Sequence, residues 1–237
     1  MNSKSIFFII SFCFIFFSGF CQYYGDEKIS SENLKQWVVG STLEYSKTYH
    51  FGFSEGECDV RVIIDKDLVV VQIMESSFSS DGAQLINHYR TLTDTRIEGT
   101  KFFSKETDGE FMKYSNGDSF HAGLLLYKPW TEEFAEGGEF GSVYPDDEVY
   151  LNGKYPEASL RLLQDEDFKN LTKQQLKIMR NEIFARYGYI FRSGGSMEKY
   201  FNQQNWYKPQ HADVNGFLTI IEKKNIQLIR KKEKGSE

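Results

Sequence analysis

The sequence predicts an α+β protein: an antiparallel β meander, closed as a sandwich or a small barrel, followed by a small helical domain. Three observations carry this. β-Branched runs, broken by turn signals about every 8–12 residues, fill the first part without a long helical pattern. A capping box followed by an apolar stripe at helical spacing marks the last part. The charge changes sign between them. Residues 22–150 hold 11 Lys+Arg and 24 Asp+Glu, net −13, whereas residues 151–237 hold 16 and 10, net +6.

The chain has 237 residues, 40% hydrophobic and 26% charged, with three Cys and four Pro. This excludes a disulfide scaffold, a collagen and a low-complexity chain. A net charge of −6 is too mild for disorder. The expected division is a leader at 1–21, an acidic β-rich domain at 22–150 and a helical domain at 151–237. Opposite fields attract over about 8–10 Å at ordinary salt, but the expectation is two independently solvated surfaces.

Lys4 precedes an apolar run from Ile6 to Phe17, and Ser18-Gly19-Phe20-Cys21 follows. One positive charge, about a dozen apolar residues and small residues near the end read as a secretory signal peptide. The run is shorter than the roughly 20 residues of a membrane span. Gly19 and Cys21 fit the small positions before a cut between Cys21 and Gln22. A lipoprotein box ending at Cys21 is the rival, with Phe20 where that processing wants a small residue. The expected location is secreted or periplasmic, with no transmembrane segment after cleavage. Cleavage removes Cys13 and Cys21 and leaves Cys58, flanked by Glu57 and Asp59, as a small buried residue and not a reactive thiolate.

In the β half, Leu43–Phe53 alternates loosely. Asp59–Ile64 and Leu68–Met74 form a hairpin whose tip is Asp65-Lys66-Asp67. Ala83–Tyr89 reads equally as a helical turn or the start of a strand. Tyr89–Ile97 alternates, and Glu98-Gly99 turns into Thr100–Ser104. Thr107-Asp108-Gly109 and Asn116-Gly117-Asp118 are turn signals, the second between strands at Phe111–Tyr114 and Ser119–Tyr127. From Trp130 to Asp147 the chain is a loop, with or without one last strand, and then the linker.

In the second half, Thr172 and Gln175 form the capping box, and Leu171 and Leu176 stand at the staple positions. Leu176, Met179, Ile183, Phe184 and Tyr187 make the apolar stripe. Gly188 ends the helix as its left-handed cap, with Tyr189 folding back onto Phe184. A short helix is expected over Lys199–Gln203, begun near Ser193 or Ser196. A third is expected over Phe217–Lys232, with Phe217, Ile221 and Leu228 inward, with or without Ile220, and cations at its end.

The run Met179-Arg180-Asn181-Glu182-Ile183-Phe184-Ala185-Arg186-Tyr187-Gly188-Tyr189 resembles the central motif of the YARHG domain, a small bacterial extracellular module. Tyr155-Pro156-Glu157 upstream, and Tyr200-Phe201, Asn205-Trp206-Tyr207-Lys208-Pro209 and Ile221-Glu222-Lys223 downstream, agree in order. The resemblance covers about the last 80 residues. Phe184 stands where the motif names Tyr, and Tyr187 where it names His, so a role carried by that His does not transfer. The resemblance implies a secreted companion of other domains, peptidases among them, and assigns no catalytic residue.

The candidate cluster for binding or structure is Arg180, Asn181, Glu182, Arg186, Tyr187, Trp206 and Tyr207. The favoured reading is a hydrogen-bonded clamp holding the Trp206-Tyr207 loop on the helix, with Glu182 and Arg186 an exposed pair. Asn181 needs a partner for its amide. Ser196-Met197-Glu198-Lys199 matches an acyl-enzyme pattern, but Ser196 as a helix N-cap explains it better. His50, His88, His121 and His211 stand alone in sequence, and no metal motif, phosphate loop or nucleophile elbow occurs. No cofactor, metal or catalytic residue is expected.

The functional expectation is a non-enzymatic binding module at the cell envelope. Its partner would be an envelope protein or polysaccharide, not nucleic acid. The alternatives are a hydrolase built from carboxylates such as Glu55, Glu57, Glu75 or Asp118, and a companion or inhibitor of a secreted peptidase.

Overall fold

A computed structural model describes residues 31–52, 57–115, 117, 120–128, 138–143 and 151–235. Residues 1–21, where the leader is expected, with Cys13 and Cys21, and Glu55, Asp118, Trp130 and the acidic run 144–148 lie outside them.

Ten strands among the described residues form one antiparallel sheet. They are β1 (Leu34–Gln36), β2 (Thr48–Phe51), β3 (Cys58–Asp65), β4 (Leu68–Phe78), β5 (Leu85–Thr91), β6 (Arg96–Glu98), β7 (Lys101–Phe103), β8 (Asp108–Ser115), β9 (Phe120–Leu126) and β10 (Glu139–Val143). Their order is β5-β4-β3-β2-β10-β9-β8-β7-β6, and β1 pairs with β8. β5 and β6 stand at opposite ends of this order, yet only residues 92–95 join them. Laid flat, nine strands would span roughly 40 Å at about 4.8 Å per step. The chain from Thr91 to Arg96 reaches at most about 18 Å. The sheet must therefore curl until its ends meet. The β6 end returns to β4: the Thr95 hydroxyl, one residue before β6, donates to the Val69 carbonyl, which leaves the outer edge of β5 unpaired by strand. Of the sandwich and the small barrel, the chain forms the barrel.

Period-two alternation fills it. Val60 and Val62 of β3 point inward, while Arg61 and Ile63 face the helices. Inside, the Tyr45 ring stacks on Phe111 at 4.0 Å, and the Tyr49 hydroxyl donates to the Tyr45 carbonyl at 2.9 Å. Tyr45 belongs to a 3-10 turn, Thr42–Tyr45, capped by Ser41 and Glu44, so the expected alternation from Leu43 gives way to a turn and then β2. The β3–β4 hairpin turns at Lys66-Asp67 as expected. Ala83–Tyr89 resolves as strand from Leu85. Asp108-Gly109 opens β8 instead of turning. The turn lies just before it, where the Ser104 hydroxyl donates to the Thr107 carbonyl at 2.6 Å and accepts from its amide at 2.9 Å.

Four helices follow: α1 (Glu157–Leu160), α2 (Lys173–Arg186), α3 (Ser196–Phe201) and α4 (Ile220–Gly235). The Thr172–Gln175 capping box starts α2. Its end is a Schellman turn: Tyr189 donates to the Phe184 carbonyl, Gly188 donates to that of Ala185, and Gly188 has φ +71°. α3 starts at Ser196, one of the two expected starts, but its N-cap is Gly195, not Ser196. In α4, Ile221 is inward as expected, but Ile220 is 47% exposed. Ile226 and Ile229 are buried with Glu222 and Asn225. Phe217 and Leu228 pack against the core as expected; an apolar count misses only the two polar residues on that face. No helix among the described residues is long and apolar enough to cross a membrane.

The barrel and the helices do not present independent surfaces. Ile63 and Val70 pack against Ile221, with Leu160 and Leu162 beside them. Gln72 of β4 is 1% exposed and donates to the Phe217 carbonyl at 2.8 Å. The open edge of β5 is covered too. The Gln210 side chain accepts from the Asn87 amide at 3.3 Å and donates to the Leu85 carbonyl at 2.9 Å, while His211 donates to the Asn87 carbonyl at 2.8 Å. A side-chain amide thus stands in for a neighbouring strand on an edge that would otherwise invite pairing. The physical reason for the contact is the outward face of β3–β5, whose apolar residues need a cover that net charge does not reveal.

Candidate functional site

α2 delivers most of the sequence-derived cluster, but not to one place. Arg180 points toward the end of α4 and bonds Glu233 at 2.9 Å. The Asn181 amide finds its partner inside the helix, the Lys177 carbonyl, at 2.7 Å. Tyr207 is buried among Phe191 and Phe201, its hydroxyl donating to the Tyr189 carbonyl at 2.6 Å.

Glu182 and Arg186 form the clamp, one turn apart on α2. They are buried, with side chains 1% and 7% exposed, and not the exposed pair their spacing suggested. The clamp also holds a different segment. Glu182 accepts from the amides of Lys154 and Tyr155 at 2.9 and 2.7 Å. Arg186 donates to the carbonyls of Asn152 and Tyr155 and to the Ser159 hydroxyl at 2.8–3.0 Å, and to Glu182 itself. It therefore ties the chain leading into α1 onto α2, while the Trp206-Tyr207 loop is held by ring packing and the Tyr207 hydroxyl. Burial pushes the Glu182 carboxyl up, and Arg186 and the two amides pull it back. Gly153 lets the segment approach, since a Cβ there would lie 2.3 Å from the Glu182 side chain.

Tyr187, next after Arg186, crosses to the barrel. Its hydroxyl accepts from the Gln72 amide at 3.1 Å and donates to Glu222 of α4 at 2.8 Å. Burial first and the Glu222 carboxylate second hold the phenol well above its ordinary range. The Tyr89 ring of β5 meets it edge-on at 4.7 Å.

Residues 153–234 match the family model of the YARHG domain. The match agrees with the resemblance carried by the α2 motif and its flanking blocks. No curated protein and no solved structure matches the chain. In this YARHG domain the motif divides its labour. Phe184 and Tyr189 pack at the helix end, with ring centroids 6.1 Å apart. Arg186 closes the clamp, and Tyr187 at the named His position joins the domain to the barrel.

Between the YARHG domain and the outward face of β3–β5 lies a cavity of about 300 Å³. Arg186, Tyr187 and Trp206 of the predicted cluster line it; Arg180, Asn181, Glu182 and Tyr207 do not. The barrel contributes Arg61, Gln72, Asn87 and Tyr89, none of which sequence reasoning singled out. Arg61 is the notable one: its Nε is buried without a hydrogen-bond partner. An unsatisfied buried donor costs about 1–3 kcal/mol, and more when charged. The only available signal was Arg61 sitting alone among β-branched residues, Val60 and Val62.

Of the hydrolase carboxylates, Glu57 is exposed beside His50, and Glu75 lies 3.5 Å from Arg90. Neither lines the cavity, where Glu222 is the one carboxylate among the described residues. Cys58 is buried at the start of β3. Two of the four histidines do come together, with the rings of His88 and His211 5.9 Å apart. Among the described residues no three His, Cys, Asp or Glu side chains are grouped to hold a metal.

Proposed function

We propose that this YARHG-domain protein is a non-enzymatic binding module of the bacterial cell envelope and that its binding site is the cavity between barrel and helices. The leader at residues 1–21, cut between Cys21 and Gln22, supports the address. In this reading residues 22–150 and 151–237 are two domains that share one site. The observation that carries the reading is the cavity itself: about 300 Å³, lined from both parts, with the buried and unpartnered Nε of Arg61 in its wall. Small-molecule sites favour such seams and start near this size. An envelope protein or polysaccharide would enter through a terminal group that fits.

The test is thermal-shift screening of residues 22–237 against fractions of an envelope extract, beside Asn152→Trp. Asn152 lines the cavity, is exposed, and gives the clamp only its carbonyl. A large ring there should obstruct the opening without breaking the clamp. A fraction that stabilises the native chain but not the variant supports the reading. Equal stabilisation of both places binding elsewhere.

A further inference from the structure

We infer that the ligand of this cavity is a small carboxylate and that Arg61 receives it, an inference that rests on the cavity being the binding site. Among the described residues the lining holds three cations, Arg61, Arg186 and Lys208, against one carboxylate, Glu222. Arg186 is committed to Glu182 and the segment before α1. Oε2 of Glu222 already accepts from Tyr187 and from the Thr219 amide, at 2.8 and 2.9 Å. The cavity is thus left with cationic donors from Arg61 and Lys208 and with a carboxylate that is already engaged.

The setting of Arg61 sharpens this. Residues 22–150 hold 24 Asp+Glu against 11 Lys+Arg. Even so, no carboxylate among the described residues is paired with Arg61, and its Nε is buried with nothing to donate to. β3 fixes its position, opposite Thr48 on one side and Gln72 on the other. A guanidinium offers donors in a planar fork and no acceptor, a shape that a carboxylate meets with two parallel bonds. Beside it stand Asn87, Tyr89, Asn152 and the Trp206 ring. These suit the hydroxyls or amides and the flat face of a small polar molecule. A volume of about 300 Å³ limits that molecule to the size of a monosaccharide or an amino acid. A sugar acid and an acidic amino acid share the required chemistry.

Calorimetric titration of residues 22–237 with glucuronate, glutamate, glucose and glutamine separates the possibilities. The expected result is saturable binding of one or both acids, at least about tenfold tighter than the matching neutral compound, as for a charge-assisted bidentate pair. The acid bound tells which source is used. Added salt should weaken it. Arg61→Gln should lose that preference, and Arg61→Lys should keep part of it. Asn152→Asp, which leaves Arg61 intact, should weaken the acid alone and covers the case in which the Arg61 variants fail to fold. Acid and neutral compound binding equally, or Arg61→Gln binding as tightly as the native chain, overturns the inference while the cavity stands as a site. Binding of none of the four also overturns it. The reading of the cavity as a site then stands or falls on the Asn152→Trp comparison.

Discussion

The hydroxyl of Tyr187 lies 2.8 Å from Oε2 of Glu222 and donates to it, joining the turn after α2 to the head of α4. The same hydroxyl accepts from Gln72 on β4, so one side chain ties together two helices and the barrel. Tyr187→Phe keeps the ring and leaves buried groups without their partner. It should destabilise the chain by about 1–3 kcal/mol, read as a lower urea midpoint. An unchanged midpoint would mean that water replaces the hydroxyl.

The raised phenol of Tyr187 has a consequence for pH. Its protonated form is favoured in the folded chain, so its contribution is complete below the ordinary tyrosine value near pH 10 and is lost as pH rises toward the folded value. Tyr49, buried inside the barrel, acts in the same direction. Phenolate absorbance from these two tyrosines should appear only together with unfolding. Reversible titration of every tyrosine in the folded chain near pH 10 would contradict this.

His50 acts in the same direction at lower pH. Its hydrogen bond to Asp59, at 2.9 Å, raises the imidazole above its ordinary value against the opposing effect of burial. The stabilisation is fully present below about pH 6.5 and fades as pH rises through the folded value. An NMR titration should show His50 titrating above 6.5 and moving down in Asp59→Asn. No movement would remove Asp59 as the cause.

Removing one member of the Glu182–Arg186 pair strands a buried charge. Glu182→Gln or Arg186→Met should each cost about 3–5 kcal/mol. The double variant should cost clearly less than the two together, because the partners act as a unit. Additive losses would show that the two residues stabilise the segment before α1 independently.

Gly188→Val should be worse than a propensity argument suggests. At φ +71° a β-branched residue costs roughly 1–2 kcal/mol or more. Its Cβ would also lie 2.7 Å from the Lys208 carbonyl. A melting temperature within error of the native value would show that the turn relaxes freely.

Much of the fold was legible because its signals are local. The β3–β4 hairpin follows from two β-branched runs around Asp65-Lys66-Asp67, and α2 follows from a capping box, a stripe and a glycine. The α4 face was legible in its apolar residues but not in Glu222 and Asn225, which owe their burial to distant partners, Tyr187 for one and Leu163 for the other. The clamp was legible as a pair four residues apart; its burial and the segment it holds were not.

The sequence by itself determined the α+β order, the capped helix and the family of the last third, since each depends on residues within a turn or two of one another. Only the tertiary structure decided that the sheet closes into a barrel, that Gln210 and His211 cover its edge, and that Arg61 faces Tyr187 and Glu222 across a cavity. The last two relationships join residues more than a hundred positions apart, and the closure joins strands β2 and β10 across about ninety. Their cause is the need to cover the outward face of β3–β5, a surface that exists only once the strands have paired.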